Sequence, residues 1–145
     1  MNRIAPDASC RKIGGLGLGF YAPAVALLLS LMAPPAFADA DGLAGRWSGN
    51  GSVMLPSGAT EKARCRATIR KAGSREFTVD ATCATSSLKV SQVAKVQASG
   101  ANRFSGEFLN AEYNITGTMT LTLSGKTLSA ALRGGGGTAF FTLAR

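Results

Sequence analysis

Residues 62–83 read KARCRATIRKAGSREFTVDATC, and the phase of this stretch decides the fold. Ala63, Cys65, Ala67 and Ile69 fall on one side of an extended chain; Lys62, Arg64, Arg66, Thr68 and Arg70 fall on the other. After Lys71–Arg75 the alternation resumes, with Phe77, Val79, Ala81 and Cys83 inward and Thr78, Asp80 and Thr82 outward. A period of two with one apolar side marks β-strands that bury one face. If the turn centres on Ser74, Cys65 lies directly opposite Cys83. If it centres on Gly73, the two are diagonal neighbours. A directly opposed pair at a non-hydrogen-bonded site brings the backbones close enough for a cross-strand disulfide.

The same period runs outward in both directions. In Gly45–Leu55, Trp47, Gly49, Gly51, Val53 and Leu55 share one face, and Pro56-Ser57-Gly58 is a turn. Ser87–Gln97 is less regular: Leu88 and Val90 alternate, but Val93 and Val96 recur at three-residue spacing, so a strand with a bulge or a short helical turn both fit. Ala98–Asn102 reads as a loop and Arg103–Leu109 as a strand with Phe104, Gly106 and Phe108 inward. Tyr113, Ile115, Gly117, Met119, Leu121 and Leu123 form one face of the longest run. Ser124-Gly125-Lys126 turns the chain into Thr127–Arg133, and Gly134–Gly137 leads into Thr138–Arg145. The expected fold is all-β: about eight strands in consecutive hairpins, a count that suits an up-and-down barrel or a compact sandwich, with a small antiparallel up-and-down barrel the expectation. Outward positions are Ser, Thr, Lys, Arg and Asn, which argues against an outer-membrane barrel, whose outer band must be apolar.

Residues 1–38 read as a cleavable export signal. A basic leader (Arg3, Arg11, Lys12) precedes the uncharged run Ile13–Met32, and Ala36-Phe37-Ala38 supplies an A-x-A site before Asp39. The competing reading is an uncleaved anchor. Gly14, Gly15, Gly17, Gly19 and Pro23 dilute the run, and no basic flank follows it. Residues 39–145 are then one domain in the periplasm or outside the cell, with no membrane span left after cleavage. Cys10 leaves with the leader, so the even pair Cys65 and Cys83 is expected to be bridged in an oxidising compartment.

Of the 16 Lys/Arg and 8 Asp/Glu in the chain, Arg3, Arg11, Lys12 and Asp7 lie in the leader, which leaves the domain net basic. There is no histidine, so His-based nucleophilic catalysis and His-ligated metals are excluded. The scattered carboxylates suggest neither an acid/base pair nor a metal cage. The expectation is a non-enzymatic, monomeric protein without a cofactor or metal.

Gly45-Arg46-Trp47 at the head of the first strand, with Arg145 closing the last, resembles the calycin superfamily of lipocalins, avidins and small bacterial protease inhibitors. The resemblance implies that Trp47 plugs one barrel end beneath a cation, either Arg145 or Arg133. A second resemblance, carried by Trp47-x-Gly49-x-Gly51, Gly58, Glu61, Arg64-Cys65-Arg66-Ala67 and Thr82-Cys83-Ala84, is to a group of small exported bacterial proteins of unknown function. It covers about a third of the domain and implies no activity.

Two features are candidate sites. Lys62, Arg64, Arg66 and Arg70, extended by Lys71 and Arg75, form a line of charge that suits an anionic or protein partner; a solvated edge-protecting face is the simpler reading. No outward aromatics accompany these charges for base stacking, and the exported location also argues against nucleic acid, so no nucleic-acid partner is expected. The inward small residues Gly49, Gly51, Ala63, Ala67, Ala81, Gly106, Gly117 and Ala130 either line a pocket or let the sheet coil tightly around Trp47, Phe77, Phe104, Phe108 and Phe141. The short chain favours collapse. A pocket would open at the end opposite Trp47 and take a small apolar or amphipathic molecule. The alternative function is a protein-interaction module, an inhibitor or envelope-complex subunit, acting through loops or the 62–70 strand. Gly134–Gly137 lacks the Lys-Ser/Thr and helix of a phosphate loop and reads as a hairpin turn.

Overall fold

A computed structural model describes residues 42–145. Residues 1–41, with the expected export signal, Cys10 and the expected start of the domain, lie outside the described residues. The rest is a closed antiparallel barrel of β1 (Gly45–Met54), β2 (Thr60–Lys71), β3 (Glu76–Ala84), β4 (Lys89–Gly100), β5 (Arg103–Asn110), β6 (Ile115–Ser124), β7 (Thr127–Gly134) and β8 (Gly137–Ala144). Each strand pairs with the next, and β8 pairs back onto β1 (Met54↔Thr138 to Ser48↔Ala144), so the sheet has no free side. Closure is what lets so short a chain bury a continuous inner face without leaving an edge.

The β2–β3 register follows the turn centred on Ser74: Lys71 pairs with Phe77 and Cys65 with Cys83. The two cysteines are bridged, with their Cα atoms 4.1 Å apart. In β2 the burial alternates from Ala63 to Ile69, with Lys62, Arg64, Arg66 and Arg70 outside. β4 is a strand throughout, with its only irregularity at Ala98–Gly100. Its inward set is Val90, Gln92, Ala94, Val96 and Ala98; Val93 faces outward opposite Leu109, and both are about half exposed.

Tyr113 departs from its expected strand position. It lies in the β5–β6 turn, where its N–H donates to Asn110 Oδ1 (3.0 Å), and Asn114 takes a left-handed φ of 51°. An Asn side chain capping its own turn stops the strand there. The four-glycine run is also shorter as a turn than expected. Gly134 and Gly137 pair as strand residues, and only Gly135 and Gly136 (φ 60° and 77°) make the bend. Two consecutive positive φ values fit the tight hairpin connection whose twist matches the strands, and glycine adopts them without strain.

Core packing divides along the barrel. One end is filled: Leu43, Trp47, Ile69, Phe77, Val96 and Leu128 are all essentially inaccessible, and Phe77 meets Phe104 edge to face at 5.4 Å. At mid-barrel the small side chains of Cys65, Ala67, Ala81 and Ala130 leave only about 20 Å³, roughly the room one water needs. The collapse expected for a short chain therefore holds at this end and fails at the other.

Candidate functional site

The closed end is built around Trp47. Its indole Nε1–H donates to the Leu43 carbonyl (2.9 Å), which satisfies the ring's one polar group inside the core. The Arg145 guanidinium lies 4.5 Å from the ring centroid. Its two nitrogens donate to the Ala44 and Gly42 carbonyls (3.1 and 2.7 Å), tying the last residue to the segment that enters β1. Arg133 does not share this role. It sits on β7 between Thr118 and Thr138, exposed on the outer wall, because its position has the opposite phase to buried Leu132.

The opposite end is open. The turns 55–59, 85–88, 111–114 and 135–136 converge there, around a cavity of about 220 Å³. Its wall is made by inward residues of six strands: Val53, Val90, Phe108, Ile115, Leu132 and Ala139, with Phe141 as part of the floor. Cys83 also faces it, so the disulfide braces the wall between β2 and β3. Leu55, Pro56 and Leu88 continue the apolar surface to the rim, beside half-exposed Met54 and Tyr113. The lining contains no charged side chain. Its polar groups are few: Gln92, Asn110, Thr85, Tyr113 and Thr138. A concave, mainly apolar site with a handful of polar groups is the usual form of a small-molecule pocket.

The basic line lies on the outer wall. Lys62, Arg64 and Arg66 stand outward in register opposite Ser52, Asn50 and Ser48 of β1. Arg70 is drawn into an exposed ion pair with Asp80 of β3, so the line loses a free charge at its lower end. Near the mouth, Ser87 Oγ donates to both oxygens of Glu61 (2.8 Å each), joining the β3–β4 turn to β2. The Thr85 and Ser87 hydroxyls hold the Glu61 carboxyl below its ordinary pKa of 4.5, because they donate to the charged form.

Trp47, Arg145 and the disulfide were legible in the sequence. Gln92 and Asn110 were not. The usable signal for Gln92 was the inward phase Val90, Gln92, Ala94, Val96, masked by the competing Val93/Val96 spacing. Asn110 falls one residue beyond the expected end of its strand.

Fold and site together define a small closed β-barrel, plugged at one end and hollow and apolar at the other. No protein-family model matches the chain, and no curated protein does. Solved structures do resemble it. One is a redesigned β-barrel, mFAP0, bound to DFHBI, at 15% identity and a TM-score of 0.59, covering 71% of this chain and 98% of that one. Another is a de novo designed fluorescence-activating β-barrel, at 13% identity and a TM-score of 0.57, covering 73% of this chain and 95% of that one. At these identities the likeness is one of fold.

Proposed function

We propose that this chain is an exported, non-enzymatic binding module whose barrel takes a compact, largely apolar molecule through the mouth opposite Trp47. The observation that carries the reading is the 220 Å³ apolar cavity at that mouth, set above a packed core. Its size bounds the ligand. An apolar cavity of about 150 Å³ accommodates benzene, whereas pockets for drug-sized molecules start near roughly 300 Å³. A single substituted ring or a short alkyl chain fits between these limits. Binding of DFHBI by a barrel of similar fold supports the use of such an interior for a small ligand.

The leader reading supports export and cleavage after Ala38, and the Arg145-capped Trp47 supports kinship with calycin barrels. On this reading the domain acts as a monomer in the periplasm or outside the cell. The hollow mouth favours a small ligand over the protein-interaction reading, which a solid interior would have favoured.

The test is native-spray mass spectrometry of the protein recovered from its own compartment. The expected spectrum has a discrete added mass, lost on denaturation, on a chain that begins at Asp39 and carries the two-hydrogen deficit of one disulfide. Bare protein, with no small molecule retained or accepted on addition, directs attention to the Lys62–Arg66 face and a protein partner.

A further inference from the structure

The apolar mouth contains one feature that the fold does not require. The β4–β5 ladder ends at Val93↔Leu109. The next positions of that register toward the mouth are Gln92 and Asn110, and both point inward: Gln92 opposite buried Ala81, Asn110 in phase with buried Phe108. Both line the cavity. Asn110 is only 4% exposed, the one buried polar residue among those described. Its orientation is fixed because Oδ1 accepts the Tyr113 N–H, which leaves the Nδ2 hydrogens aimed elsewhere. Among the described residues Nδ2 has no hydrogen-bond partner, and neither does the Gln92 amide. No fully inaccessible side-chain nitrogen or oxygen among those residues lacks a partner, so these groups are not sealed in protein, and both residues line the cavity.

An amide facing an apolar cavity without a partner costs free energy relative to a paired one. Leucine at position 92 would continue the Val90–Val96 wall at no such cost. The corresponding β2–β3 seam is closed by the Ser87–Glu61 hydrogen bonds, whereas the β4–β5 seam carries two carboxamides of which only Asn110 Oδ1 is engaged, by the Tyr113 N–H.

Building on the proposed ligand-binding role, the geometry points to Gln92 and Asn110 as a recognition pair for one neutral oxygen acceptor, a carbonyl, on an otherwise apolar ligand. The sign follows from the inventory. Asn110 has committed its acceptor and offers only donors; Gln92 offers two donors and an acceptor. The pair is rich in donors, and no charged side chain lines the cavity, so a neutral carbonyl fits better than a donor-only N–H or a carboxylate.

The experiment uses two probes of nearly equal shape, propiophenone and propylbenzene, which differ by a carbonyl in place of a methylene. Their dissociation constants are measured by calorimetry on the wild-type domain and on Gln92→Leu, with Gln92→Met as a straight-chain control. Both variants should bind propylbenzene as well as the wild type or better, which also reports that the barrel is intact. The preference for the ketone over the hydrocarbon should fall about three- to tenfold, the worth of one hydrogen bond. An unchanged preference, with propylbenzene still bound, overturns the amide assignment and leaves the pocket reading standing. Failure of the wild type to bind either probe overturns the pocket reading, and the assignment falls with it.

Discussion

Removing the Cys65–Cys83 bridge should destabilise the barrel by an amount that its loop length sets. The cysteines are 18 residues apart, and in the chain-entropy treatment a loop of that size restricts the unfolded chain by about 3 kcal/mol. Both residues are buried and one faces the cavity. The double variant Cys65→Ala/Cys83→Ala therefore loses packing as well, and about 3 kcal/mol is a lower bound. For a domain of about a hundred residues, each kcal/mol moves Tm by roughly 4–5 °C, which predicts a fall of about 13 °C or more. Equilibrium guanidinium denaturation of wild type and variant measures the difference. The denaturant slope should also steepen, because an uncrosslinked unfolded chain exposes more surface. Coincident transitions would refute both the bridge and the loop-entropy reasoning.

Trp47→Ala should cost about 3–5 kcal/mol as a large-to-small core change, measured by denaturant unfolding followed by circular dichroism. Because Trp47 is the only tryptophan, Arg145→Met should shift the fluorescence of the folded state while costing far less stability. Gly106→Ala should be more damaging than a routine surface change, since a Cβ there falls on the Lys95 carbonyl of the neighbouring strand; overpacking of this kind costs about 1–3 kcal/mol or more, and a variant that melts with the wild type would show that the strand can yield. The Glu61–Ser87 contact predicts an acid-dependent stability. Because the folded carboxyl has a lowered pKa, its contribution is complete above the ordinary value of 4.5 and disappears as pH falls through the folded value. Ser87→Ala should therefore melt below the wild type near neutrality, and the gap should close as the pH falls below about 4.5.

The parts of the fold that were legible are those that local rules fix. Alternation, the Ser74-centred turn and the cysteine spacing all specify one hairpin register, and such agreement across levels makes a register unambiguous. The plug was legible through Trp47 and Arg145, but the choice between Arg145 and Arg133 needed closure of β8 onto β1, which brings the last residue back to Gly42 and Ala44. Val93 misled the reading of β4 because an outward apolar residue, paired with outward Leu109, carries the same local signal as a buried one. The distribution of interior space was not legible either. The inward small residues Gly49, Gly51, Ala63, Ala67, Ala81, Gly106, Gly117 and Ala130 do not line the mouth; Ala67, Ala81 and Ala130 surround the tightly packed mid-barrel, and the hollow end is walled instead by larger side chains such as Val53, Val90, Ile115 and Leu132. Gln92 and Asn110 gain meaning only where the β4–β5 ladder stops, a boundary that pairing sets and composition does not.

The most direct test of the central claim is an amide-resolved NMR titration of the folded domain with propylbenzene. A hollow, ligand-accepting mouth predicts saturable shifts confined to that end, at Val53, Val90, Phe108, Ile115 and Ala139, with the Trp47 indole N–H unmoved at the plugged end. An absence of shifts up to the solubility limit, or shifts spread along the outer Lys62–Arg66 strand, would contradict it.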